Sequence, residues 1–161
     1  MKEIKKELEK RLTPDERIKL LGHTAGSIIC TLAKYLIQTS GYGITSRILL
    51  REIRELGKKD AKKIMEIFGI KERSPENASK ILKIIALNIG LKLEKRKNGT
   101  VITECPYGEC VKEFEEPFIC KVCLEYNKGV IEAVLGPGFT LKRSKYLLDN
   151  GLCDFQIERK G

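Results

Sequence analysis

Tryptophan is absent from this chain, histidine occurs once, at His23, and methionine is confined to Met1 and Met65. With one histidine and no Ser/His/Asp set around it, the chain offers no hydrolase triad. Glutamine appears only at Gln38 and Gln156. That scarcity, beside a Lys/Glu-rich surface, is the composition heat-adapted proteins carry. No uncharged apolar run approaches ~18 residues, so no membrane span is expected. Nor does a charged-then-apolar leader open the chain. Both absences predict a soluble, cytoplasmic protein. Gly136-Pro137-Gly138 lacks the GxxxxGK[ST] spacing of a phosphate loop, and no glycine fingerprint for a flavin or nicotinamide is present. There is no internal repeat and no low-complexity linker.

What is present suits one domain. The chain has 161 residues, 42% of them hydrophobic and 33% charged, enough apolar material for a real core. Its net charge is +9, unevenly spread. Residues 44–97 hold 15 basic and 7 acidic side chains, a net +8; residues 1–43 are at +3 and residues 98–161 at −2. A basic middle admits nucleic acid as a partner, and equally a solvated helical surface.

Ile4, Leu8 and Leu12 recur every four residues, predicting a short amphipathic helix over 1–12 ahead of the domain proper, 13–161. Thr13-Pro14-Asp15-Glu16 is a helix start with a capping box. Ile18, Leu21, Ala25, Ile28, Leu32 and Leu36 then follow the helical period up to Gly41 and Gly43, as expected of the long packing helix of the domain. Gly22 and Gly26 would let another backbone approach closely. Further helices are expected over 44–56, ended by Gly57; over 60–68, capped by Asp60; and from Ser74-Pro75-Glu76 to Gly90. A hairpin turning at Asn98-Gly99 follows. Residues 105–110 read as a loop, 111–116 are ambiguous, and Pro117 opens another helix. Residues 139–148 suit strand or helix, and 153–157 alternate as a last strand. Helices followed by a small sheet make an α+β pattern, N-terminal helices packed on a small antiparallel sheet.

Five of the six cysteines lie between Cys105 and Cys153. In a reducing compartment such crowding means metal or redox chemistry more often than disulfides. Zinc takes four soft ligands in a tetrahedron. Cys105 with Cys110, and Cys120 with Cys123, form two pairs, and Cys153 is a distant fifth. At a helix N-terminus Cys120 and Cys123 share a face, where the dipole favours thiolates. Five candidates for four places leave at least one bystander. The alternatives are small buried hydrophobes and an iron–sulfur cluster, whose common spacings this one does not match. Cys30, inside the long helix, reads as core. His23 reads as a core or surface residue, and Glu115 and Glu116 as a solvated loop rather than acid/base groups.

Several segments together resemble the vinyl-4-reductase domain family, in particular its short stand-alone members from methanogenic archaea. They are the long helix with Gly22 and Gly26, the hairpin entered at Asn88-Ile89-Gly90-Leu91 and left at Thr103-Glu104-Cys105-Pro106, the helix with Cys120 and Gly129, and the closing Gly151-Leu152-Cys153-Asp154-Phe155. The resemblance spans roughly residues 13–158. It implies a fold shared with TRAPP vesicle-transport subunits and relatives in bacteriochlorophyll vinyl reduction and phenol-responsive transcription activators. In those sensors a cysteine opening the last long helix, a Glu and a Cys of the middle stretch and a final Cys hold zinc. Cys120 matches the first and Cys153 the last. The middle stretch, 141–146, carries Lys142, Arg143 and Lys145 instead, so Cys123 and one of Cys105 or Cys110 would complete the set.

The expected function is therefore a small-molecule binding or sensing module with a structural cysteine-ligated zinc. Its ligand would be aromatic, hydrocarbon or tetrapyrrole-like, in an apolar pocket between the last helix and the sheet. A DNA-binding protein is the alternative. Three helices and a basic hairpin outline a winged helix, with Lys95, Arg96 and Lys97 on phosphates. A reductase-type enzyme is the third reading, without a catalytic constellation to support it. A homodimer is expected through the early helices, by the apolar stripe of the long helix, Gly22 and Gly26 permitting close approach, and the helix over 1–12; the alternative is that the stripe packs only on the chain's own sheet.

Overall fold

Lys2–Arg11 (α1) precedes a 27-residue helix, Pro14–Ser40 (α2). The computed structural model to which these elements belong describes residues 2–96 and 99–161, with side chains at all of them except 2, 3, 5, 6, 8, 95, 96, 99 and 100. Asn98 of the predicted turn, the Leu8 side chain and the Lys95–Arg96–Lys97 side chains thus lie outside the described residues. The capping box closes as expected. The Glu16 N–H donates to the Thr13 hydroxyl at 3.3 Å, and the Thr13 N–H to the Glu16 carboxylate at 2.7 Å.

After Gly41 a single helix, Tyr42–Ile67 (α3), replaces the two expected over 44–56 and 60–68. The reason lies in Phe118–Leu135 (α6). A Cβ at Gly57 would stand 2.1 Å from the carbonyl oxygen of Tyr126, and one at Gly129 would stand 2.0 Å from that of Arg54. The two glycines face each other's backbones, so α3 and α6 approach more closely than any side chain permits. Glycine inside a helix costs about 1 kcal/mol relative to alanine, and here the packing it allows offsets that. Asp60, expected as a cap, sits within α3 and accepts a 2.7 Å hydrogen bond from the Tyr126 hydroxyl.

Pro75–Asn88 (α4) starts at Ser74, whose hydroxyl accepts from the Asn77 N–H. Then come Lys92–Arg96 (β1), Gly99–Glu104 (β2), Pro106–Phe114 (α5), α6, Phe139–Lys145 (β3), Leu147–Asn150 (α7) and Cys153–Arg159 (β4). All pairings are antiparallel, in the order β1-β2-β4-β3. The fold is α+β, helices on a small antiparallel sheet. The stretch 139–148 resolves into β3 followed by one turn of helix. The expected loop at 105–110 is the start of α5, with Cys105 as its N-cap and Pro106 in the first turn. Ile81 of α4, Val130, Ile131 and Val134 of α6 and Leu141 of β3 form the main core.

The long helix α2 buries its small residues and exposes much of its large apolar stripe. Leu21 is 69% exposed, Ile28 56% and Leu32 55%, while Gly22, Gly26, Cys30 and Ala33 are buried. Gly22 lies against the Ile89 carbonyl and Pro106, and Gly26 against Cys110 and Tyr107. The close approach these glycines permit is thus used by the chain's own α5, not by a second copy. Periodicity marks both stripes of α2, but only the small-residue stripe lets α5 come near. One consequence departs from the expected absence of any spanning segment. Because α2 carries few charges, an 18-residue window of it reaches a mean hydropathy of 1.3, with 22% of it buried, sufficient by length and composition to cross a membrane.

Candidate ligand cavity and cysteine cluster

Between α6 and the sheet, walled also by α3 and α4, lies a cavity of about 640 Å³. Ile53, Leu82, Ile85, Ile102, Val122 and Phe155 are among the side chains that line it. Its size falls in the range of small-molecule sites, roughly 300–1,000 Å³. A few polar groups interrupt the apolar wall: Ser79, Lys83, Tyr107, Cys123, Tyr126, Asn127 and Gln156. Tyr126 is held by Asp60, and the Asn127 amide donates to Cys123 Sγ at 3.5 Å. Burial and the neighbouring Asp60 carboxylate raise the Tyr126 phenol above its ordinary value, so it stays neutral and a donor. Periodicity had shown that these positions are apolar. It carries no signal that the facing side chains leave a void.

Cys123 belongs to a second feature. Cys105 caps α5, Cys120 and Cys123 stand in the first turns of α6, and Cys153 opens β4. These four sulfurs are near enough that the charge on each would act on the others. Burial pushes the Cys105 thiol up to about 12, against the pull of the Gly108 and Tyr107 N–H groups. Cys123 is raised by burial and then by the other three cysteines. Burial raises Cys120 too, opposed by Tyr146 and Arg143, and it raises Cys153, opposed by the Leu147 N–H and Arg143. The Leu147 N–H lies 3.2 Å from Cys153 Sγ.

Arg143 of β3 is turned toward this cluster. Its guanidinium donates to the Cys120 carbonyl at 3.3 Å and stacks 4.4 Å from the Tyr146 ring centre. Nothing in the sequence signals this placement, since the stretch 139–148 suits strand or helix alike. Among the described residues, no group of three or more His, Cys, Asp or Glu side chains is arranged to hold a metal ion as it stands. The donor chemistry nonetheless fits a thiophilic metal: four thiols, several with N–H donors on sulfur, beside a cation that would offset thiolate charge.

Cys110 is elsewhere. Buried against Cys30, Val111 and Ile119, its Sγ lies 3.3 Å from the His23 carbonyl and 3.7 Å from the Ser27 hydroxyl. Cys30 is fully buried, and burial pushes its thiol up to about 11. His23 Nε2 stands 3.3 Å from a Glu113 carboxylate oxygen at the α2–α5 surface. Glu116 accepts the Phe118 N–H at 2.9 Å and so caps the start of α6, while Glu115 takes the left-handed turn before it, with φ at 54°. The helical part of the winged-helix outline becomes the continuous α3 followed by α4. Compared with known proteins, the chain matches no family model, no curated protein and no solved structure.

Proposed function

We propose that the chain is a small-molecule binding module, its ligand held in the cavity between α6 and the sheet and its cysteine cluster holding a structural zinc. The observation that carries this reading is the cavity of about 640 Å³, apolar over most of its wall. Cys105, Cys120, Cys123 and Cys153 would hold the metal, which supplies a crosslink between the start of α5, α6 and β4. Four thiolate ligands leave zinc no open position for water, so the site is structural rather than catalytic. Buried thiols with raised pKa values stay protonated when free, so metal binding there releases protons and weakens as pH falls. The order of motifs that resembles the vinyl-4-reductase domain family agrees with this reading.

The outer face of α2 favours a second element of the proposal. Leu20, Leu21, Ile28, Leu32 and Tyr35 are all more than half exposed. A contiguous apolar stripe of that kind marks an interaction surface, and pairing of two such faces gives an isologous dimer.

Purified protein examined by native mass spectrometry, with elemental analysis and organic extraction of the same sample, tests the function. About one zinc per chain and an extractable apolar compound are expected. A folded, metal-free chain with every thiol open to titration, and no saturable uptake of apolar probes, would contradict it.

A further inference from the structure

The polar groups of the cavity differ in how they are satisfied. On the α6 side, Tyr126 is bound to Asp60 and Asn127 to Cys123. On the α4 and β4 side, the side chains of Ser79, Lys83 and the exposed Gln156 have no hydrogen-bond or ion-pair partner among the described residues. Lys83 is also the one charged side chain in the described lining, which contains no aspartate or glutamate. Ser79 and Lys83 are four residues apart on α4, hence on the same helical face, one turn above the other. Lys83 is half-buried. Its ammonium has no counter-charge among the described side chains that line the cavity. A ligand that brings a negative charge supplies that counter-charge and gains a charge-assisted hydrogen bond.

We infer that the cavity takes an amphiphile with an apolar body and a single anionic head, the head held by Lys83 and Ser79 and the body lying against α4, α6 and the sheet. This rests on the ligand-binding reading and names its ligand class.

The test uses the full chain and the fluorescent probe N-phenyl-1-naphthylamine, displaced in turn by decanoate, decanol and decylamine. Their apolar bodies match closely and their heads are negative, neutral and positive. Decanoate is expected to displace the probe at a concentration about tenfold lower than decylamine, the scale of one charged hydrogen bond. Lys83→Met should erase that order and Lys83→Glu reverse it. Lys80→Met, which removes an exposed charge from the same helix, should leave the order intact, separating a local head-group contact from the general pull of a basic protein. Equal displacement by all three, or an order unchanged in Lys83→Met, would overturn the inference while leaving the ligand-binding reading in place. Failure of the probe itself to bind the wild-type chain would overturn both.

Discussion

Replacing Cys105, Cys120, Cys123 or Cys153 by serine is expected to cost the chain its zinc and with it several kcal/mol of stability, on the order of a lost structural ligand. Cys110→Ser is expected to keep full zinc content, because its sulfur packs with Cys30 and the His23 carbonyl instead. Metal analysis of the five variants checks this directly, and zinc lost from Cys110→Ser but retained in Cys105→Ser would reverse the assignment. Cys30→Ala should behave as a small core truncation of about 1–2 kcal/mol, read by denaturant titration. The sequence made the cysteine crowding legible, because five of the six cysteines lie between Cys105 and Cys153. Choosing between Cys105 and Cys110 was beyond it. Both lie on one short segment, and only its folding into α5, with Cys105 before the first turn and Cys110 facing α2, separates them.

At the scale of elements, the contact between α3 and α6 organises the molecule. Gly129→Ala would drive a methyl into the Arg54 carbonyl, and about 3 kcal/mol or more of destabilisation is expected. Gly43→Ala, also in α3 but with open space around it, should instead stabilise by about 0.5–1 kcal/mol. Equal effects in thermal unfolding would show that helix propensity, not close approach, governs both sites. Beside this contact Glu132 receives Arg54 at 2.9 Å and Lys160 at 2.7 Å, with its side chain 11% exposed. Burial raises the Glu132 carboxyl, but Lys160, Arg54 and Lys58 together outweigh that and hold it below the ordinary value. A depressed folded pKa contributes stability that is complete above the unfolded value of about 4.3 and is lost as pH falls through the folded one. Glu132→Gln is therefore expected to cost about 1.5–3 kcal/mol at pH 7 and to flatten the loss of stability below about pH 4. An unchanged acid profile would show that the network adds nothing. Most elements were legible because caps and turns sit where they act: Thr13, Ser74, Gly41 and Gly136 each mark a helix end. Gly57 misled because a glycine that ends a helix and one that admits a neighbouring helix look alike until the neighbour is known.

For the molecule as a whole, the exposed α2 stripe predicts a particle of twice the 18.3 kDa chain mass in sedimentation. Leu21→Glu or Ile28→Glu should return it to monomer with little change in the stability of each chain, since both side chains face outward. A monomer at micromolar concentration that co-sediments with lipid vesicles would assign that face to a membrane instead. The α+β class was readable from the order of helices and strands. The use of Gly22 and Gly26 by neighbours within the chain was not, because two stripes share one helix and tertiary contact alone assigns each its partner. If the cavity beneath α4 and α6 is a binding site, it takes up an apolar probe and loses that uptake when filled. Titration of N-phenyl-1-naphthylamine into the wild-type chain and into Leu82→Trp, which fills the cavity from α4, tests it most directly. Saturable binding by wild type and its loss in a Leu82→Trp chain that keeps the wild-type melting temperature is the predicted result. Absence of saturable binding in the wild type, or undiminished binding in the filled variant, would contradict it.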